Sequence, residues 1–120
     1  MIKNLYECGR MAMVVKFYYG DNTLIFNYEL INKKLSLTKV LQNEIKDKDK
    51  EIILNIKQVE IELKDYSIVL SEPIITGADF LDIKWCKIAQ IYPDGTEYSI
   101  SSTFMTTKEF MNVLDNMVLV

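Results

Sequence analysis

Between Met11 and Leu30 two runs of alternating inward and outward positions flank Gly20-Asp21-Asn22, the pattern of a β-hairpin buried on one face. A two-residue loop at Asp21-Asn22 sets Tyr19 opposite Leu24, Phe17 opposite Phe26, Val15 opposite Tyr28 and Met13 opposite Leu30, and one face is then wholly apolar. A three-residue loop sets Lys16 opposite Phe26 and mixes the faces. Because a shift of one residue exchanges the two faces, burial selects the even loop. Asp and Asn accept the positive φ that such a loop needs. The opposite face carries Val14, Lys16, Tyr18, Ile25, Asn27 and Glu29.

The pattern then changes period. Leu37, Val40, Leu41 and Ile45 fall at helical spacing, with Ser36 as the capping residue and Leu35 and Val40 placed as a hydrophobic staple, so a short helix ending near Asp47 is predicted. Its task is to cover one sheet face. The alternating charges of Lys46-Asp47-Lys48-Asp49-Lys50-Glu51 read as a solvated loop or frayed helix end. A second strand pair is expected from Ile52 to Ser71, with Ile61 opposite Ile68 and Val59 opposite Leu70 whether the loop has two residues (Lys64-Asp65) or four. Upstream the apolar parity is even (Ile52, Leu54, Ile56) and it becomes odd at Val59, which calls for a bulge or bend near Lys57-Gln58. Ser71 to Asp82 reads as a loop, with Pro73 barring regular pairing and Gly77-Ala78-Asp79 turning the chain.

In the third hairpin, Ile83 to Phe104, two arguments compete. A two-residue Asp94-Gly95 turn aligns Trp85 with Phe104, Ala89 with Ile100 and Ile91 with Tyr98, giving one apolar face. A three-residue Pro93-Asp94-Gly95 loop puts proline at the second position of a type I turn and glycine in the left-handed region, and turn chemistry favours it. That choice pairs Ile88 with Ile100 and leaves Trp85, Ala89 and Ile91 on the other side, so both faces become partly apolar. The chain closes with a well-marked helix: Thr106 and Glu109 have capping-box spacing, Met105 and Phe110 flank them as a staple, and Phe110, Leu114, Met117 and Val118 form the stripe. The fold class that follows is α+β, a single domain over 1–120. It is an antiparallel twisted sheet or partly open barrel of about six strands in three hairpins, with a short middle helix and a C-terminal helix.

Composition changes this picture little. Of 120 residues 49% are apolar and 26% charged, inside the globular range, and a chain of this length buries about two thirds of its unfolded surface without metal or disulfide staples. The net charge of −3 is too small to identify a partner. Arg10 is the only arginine, which disfavours sequence-specific reading of nucleic acid. Cys8 and Cys86 lie outside any metal or redox spacing and read as reduced thiols. Lys16 cuts the apolar run Met11 to Val15 short of signal-peptide length, and no stretch nears the roughly 20 apolar residues of a membrane span. The expected location is therefore cytoplasmic, with no membrane partner. The joint abundance of Lys, Ile and Asn, all with AT-rich codons, points to a low-GC bacterium, phage or mobile element.

Chemistry is approached mostly by subtraction. The chain has no histidine, hence no Ser-His or Cys-His nucleophile pair and no His-based zinc site, and its four glycines stand singly, without a phosphate loop. Glu60 and Glu62 alternate with apolar positions as a solvent-facing strand does, and Asp79 and Asp82 suit capping in a loop better than magnesium. Cys86 has no His or nearby Arg in sequence to activate it. No catalytic residue, metal ligand or cofactor is therefore assigned. Lysine interleaved with aromatics, as in Lys16-Phe17-Tyr18-Tyr19 and Lys84-Trp85, would suit stacking on single-stranded nucleic acid, although alternation turns Phe17 and Tyr19 inward.

What is left is the outer face of the first hairpin. Val14, Lys16, Tyr18, Ile25 and Asn27 combine tyrosine, aliphatic and rim-charge character, the composition of a protein interface. The expected function is a non-enzymatic protein-binding module, an inhibitor, immunity or accessory factor that recognises another protein. Two alternatives stand beside it: a self-assembling structural protein, as a homodimer or larger particle, and a small barrel that binds single-stranded nucleic acid.

Overall fold

A computed structural model of the chain describes residues 10–31, 37–46, 49–101 and 103–118. Strand β1 (Arg10–Tyr19) turns at Gly20-Asp21 and returns as β2 (Asn22–Ile31). The loop is even, as burial requires, but it sits one residue earlier than predicted. Tyr19 pairs with Asn22, Phe17 with Leu24, Val15 with Phe26 and Met13 with Tyr28. The predicted apolar face survives intact while every pair shifts by two residues. The turn centres on Gly20, whose φ of +53 is a left-handed position that glycine takes without the Cβ penalty and more readily than the aspartate or asparagine after it.

Helix α1 (Leu37–Lys46) follows with Leu41 and Ile45 buried. Its expected cap and staple, Ser36 and Leu35, lie outside the described residues. A short helix α2 (Lys50–Leu54) replaces the expected start of the second strand pair. Asp49 caps it by accepting from the Glu51 N–H at 3.0 Å, and Ile53 is the residue it buries. The apolar cluster at Ile52 to Leu54 is thus one helical turn, and strand begins only at Ile56.

Strands β3 (Ile56–Glu62) and β4 (Ser67–Ile74) form the second hairpin, with Ile61 opposite Ile68 and Val59 opposite Leu70 as predicted. The Leu63 N–H donates to the Tyr66 carbonyl at 2.9 Å and closes the turn. The predicted bulge is present: β3 also pairs with β1, and between Tyr18–Gln58 and Tyr19–Ile56 the register skips Lys57. That extra residue lets Ile56 and Val59 both face the core.

The segment after Ser71 departs from prediction, because β4 continues to Ile74 and Pro73 pairs with Trp85 of β5 (Lys84–Ile91). Glu72 beside it has φ 55. Across this kink the pairing register holds, yet the core-facing residues of β5 change parity from Trp85 to Ile88. Proline is tolerated in a strand at such irregularities. A single 3-10 turn, Phe80–Asp82, precedes β5 and buries Phe80 and Leu81.

In the third hairpin turn chemistry prevails. Pro93-Asp94-Gly95 is a three-residue loop closed by the Tyr92 N–H on the Thr96 carbonyl and the Gly95 N–H on the Tyr92 carbonyl, each at 2.9 Å, with Gly95 at φ +89. Ile91 pairs with Glu97 and Ala89 with Ser99 of β6 (Glu97–Ser101), but a bulge then sets Ile88 opposite Ser101 rather than Ile100. The change of parity opposite Glu72 sets Trp85 and Ile88 in the same core, while the bulge leaves Ile100 of β6 unpaired.

A two-residue strand β7 (Met105–Thr106) lies beside the start of β5 and leads into helix α3 (Thr107–Val118). The capping box is formed: the Thr106 N–H donates to Glu109 Oε1 and the Glu109 N–H donates to Thr106 Oγ1, both at 3.1 Å. Inside the core, Trp85 Nε1 donates to Thr107 Oγ1 at 2.6 Å, which joins β5 to the first turn of α3.

The strand order is β2-β1-β3-β4-β5-β6, with β7 also on β5, and the sheet is open. The buried apolar residues of sheet and helices form one cluster, so the helices cover one face. This is the α+β architecture predicted, an open twisted sheet and not a barrel.

Candidate partner-binding face

Because the helices share one core, the opposite face of β1, β2 and β3 has no described element packed on it. Alternation along β1 directs Val14, Lys16 and Tyr18 to that face. On one side Val14 meets Asn27, Lys16 meets Ile25 and Tyr18 meets Thr23 of β2. On the other side Val14 meets Glu62, Lys16 meets Glu60 and Tyr18 meets Gln58 of β3. All five residues singled out from sequence, Val14, Lys16, Tyr18, Ile25 and Asn27, therefore stand on adjacent strands of one surface. Ile25 is the most apolar exposed point, with 52% of its surface accessible.

The β3 side supplies carboxylates that a hairpin argument could not place here. Lys16 Nζ forms a close ion pair with Glu62 and lies 3.9 Å from Glu60, while Tyr18 Oη donates to Glu60 at 3.0 Å. The hydrogen bond to Glu62 raises the Lys16 pKa above its ordinary value. Partial desolvation raises that of Tyr18, helped by its bond to Glu60. Lysine is thus held charged and tyrosine neutral across the physiological range, and both are oriented before any partner arrives. Such ordering lowers the entropy cost of contact. Further across the sheet the outward rows hold Ser67, Ser71, Val69 and Ala89 beside Ile91 and Lys87. The Lys87–Glu97 ion pair at 3.1 Å marks the far side.

A second aromatic group was not foreseen. Tyr66, Tyr92 and Tyr98 form a ladder with ring centroids 5.7 Å apart at each step, at the turn ends of the second and third hairpins. Tyr98 is 57% exposed. Each tyrosine flanks a turn in sequence, but only the β4–β5 pairing brings the two turns together.

The remaining candidates stand apart from this face. Asp79 accepts from the Leu81 N–H at 2.9 Å and caps the 3-10 turn. Cys86 is half-buried and unbridged. Phe17 and Trp85 are wholly buried. Among the described residues no group of His, Cys, Asp or Glu is arranged to hold a metal ion, and no helix is long and apolar enough to cross a membrane. The chain matches no protein-family model, no curated protein and no solved structure.

Proposed function

We propose that this chain is a non-enzymatic protein-binding module, an inhibitor, immunity or accessory factor, that engages its partner through the outer face of β1, β2 and β3. The observation that carries the reading is the convergence of Val14, Lys16, Tyr18, Ile25 and Asn27 on the helix-free face, with Lys16 and Tyr18 already fixed by Glu60 and Glu62. An exposed isoleucine beside an oriented tyrosine within a charged rim is the anatomy of an interface hot spot. The abundance of Lys, Ile and Asn, residues with AT-rich codons, supports a phage or mobile-element origin.

The test is a tagged pull-down from the native host, read by mass spectrometry, with wild type beside a Tyr18→Asp/Ile25→Asp double variant. The variant keeps its circular dichroism spectrum and loses the partner that the wild type captures. A folded variant that still captures it refutes the assignment of this face.

Self-assembly is the second reading, and one observation favours it: among the described residues β2 is the last strand of the sheet, ten residues long with an unbroken register to β1. Single-stranded nucleic-acid binding draws less support, since Phe17 and Trp85 lie in the core, away from any stacking surface.

A further inference from the structure

Aromatic side chains also reach solvent at the turn ends of β4, β5 and β6. Tyr66 precedes Ser67, which pairs with Ile91, and Tyr98 pairs with Gln90, two residues before Tyr92. Gln90 also stands opposite Ile68, which is wholly buried. Alternation therefore puts all three tyrosines on the helix side of the sheet, the reverse of the outer face of β1, β2 and β3. Tyr66 and Tyr92 are half-buried, but Tyr98 is 57% exposed, so the helical cover ends short of them.

The rings restrict what they can hold. Tyr66 and Tyr92 are inclined at 45° and Tyr92 and Tyr98 at 88°, with 5.7 Å between centroids at each step. They share no common plane, so a nucleobase or sugar ring cannot lie flat across them. Rings at right angles make a stepped surface instead, which suits a ligand that is itself ridged. The two steps span at most about 11 Å, close to the ~9 Å that one three-residue turn of a polyproline II helix covers.

The polar groups agree with that ligand. Among the described residues none of the three hydroxyls is hydrogen-bonded. Desolvation raises the Tyr66 pKa, helped by Tyr92 and Asp65, and its hydroxyl stays a donor. A polyproline II segment is the converse: its carbonyls have no internal partners and its prolines carry no N–H. The two turns hold the carboxylates Asp65 and Asp94 against one ammonium, Lys64, and Asp94 is kept ionised by the Thr96 N–H at 2.9 Å. A basic residue beside the prolines completes the match. The chain's own prolines are Pro73, within β4, and Pro93, in the loop beside Tyr92. Neither a segment of this chain nor a second copy therefore supplies such a run.

The geometry points to a second docking site, where Tyr66, Tyr92 and Tyr98 receive a proline-rich, basic segment of another protein in the polyproline II conformation. Aromatic steps take successive prolines, the tyrosine hydroxyls donate to the exposed carbonyls, and Asp65 and Asp94 face the flanking cation. The ligand is stiff before it docks, so little ordering entropy opposes binding. The site is independent of the outer face of β1, β2 and β3, which lies on the other side of the sheet.

The experiment is fluorescence anisotropy with the full chain titrated to about 500 µM at low salt, against a labelled peptide of eight prolines between two pairs of arginines. Beside it run a peptide with glycine and serine in place of the prolines, one with glutamate in place of the arginines, and a labelled oligothymidylate. The proline–arginine peptide is expected to bind saturably, with the glycine–serine peptide about 10-fold weaker or more and the glutamate peptide about 3- to 10-fold weaker. Tyr98→Ala, at an exposed position and checked for folding by circular dichroism, weakens binding about 10-fold or more. Tyr98→Phe keeps the ring and weakens it about 2- to 10-fold by loss of one hydroxyl. A wild type without saturable binding overturns the site. Equal binding of the glycine–serine peptide, preference for the oligothymidylate, or indifference to Tyr98→Ala overturns it as well. Equal binding of the glutamate peptide overturns the basic half of the assignment.

Discussion

Phe17 and Tyr18 are neighbours on one strand and belong to different worlds. Phe17 is wholly buried, its ring 5.0 Å from that of Phe80 and 5.7 Å from that of Phe26, both edge-to-face. Tyr18 lies on the helix-free face with its hydroxyl on Glu60. The same contrast runs along β1: Met13 and Val15 are core, while Val14 and Lys16 face outward. On the proposed function, stability and recognition would fall to alternate residues of one strand, so substitutions should address one without the other.

The strongest way to break that separation is at Phe17. Phe17→Ala should cost about 3–5 kcal/mol, the range for a large aromatic removed from a packed core, as read by urea denaturation. Tyr18→Ala should cost about 1 kcal/mol or less while it removes partner capture. If the two variants lose similar stability, the two faces are not separable.

Trp85 sharpens the comparison from within the core. Trp85→Phe keeps most of the packing but deletes the donor to Thr107, and about 1–3 kcal/mol of stability should be lost, with partner binding retained by the folded fraction. Equilibrium denaturation beside a pull-down checks both halves.

The smallest effect is expected at the rim of the helical cover. The Thr106 N–H and hydroxyl lower the Glu109 pKa below the ordinary carboxylate value. A depressed carboxylate stabilises fully above its unfolded pKa, and that stability is lost as pH falls through the folded value. Melting temperature should therefore decline a little more steeply in acid for wild type than for Glu109→Gln, in thermal scans from neutral pH downward. Equal slopes would show that the capping box does not help to seat α3.

Legibility from sequence followed how many constraints met at each residue. The β3–β4 pairing was fully readable because both turn lengths give the same partners. In the first hairpin periodicity decides only which side chains share a face, and the loop position, set by the left-handed Gly20, moved every pair by two. At Pro93-Asp94-Gly95 the proline and glycine outweighed the apolar pattern, correctly, but the bulge near Ile88 has no local signature. Ile52 to Leu54 were misassigned because three apolar residues fit a strand as well as one turn of helix, and the Asp49 cap decides for the helix. The outward set Val14, Lys16, Tyr18, Ile25 and Asn27 was visible from parity alone. Glu60 and Glu62 as their ion-pair and hydrogen-bond partners were not, because β1 and β3 are neighbours in space with two helices between them in sequence.

The bond between Trp85 and Thr107 has an optical consequence. Trp85 is the only tryptophan in the chain, it is shielded from water, and it touches the first turn of the helix that closes the core. Its emission is therefore an intrinsic gauge of whether α3 is seated. A red shift without loss of the far-ultraviolet dichroism signal would register the helix lifting from the sheet while the strands remain paired, with no dye or label attached.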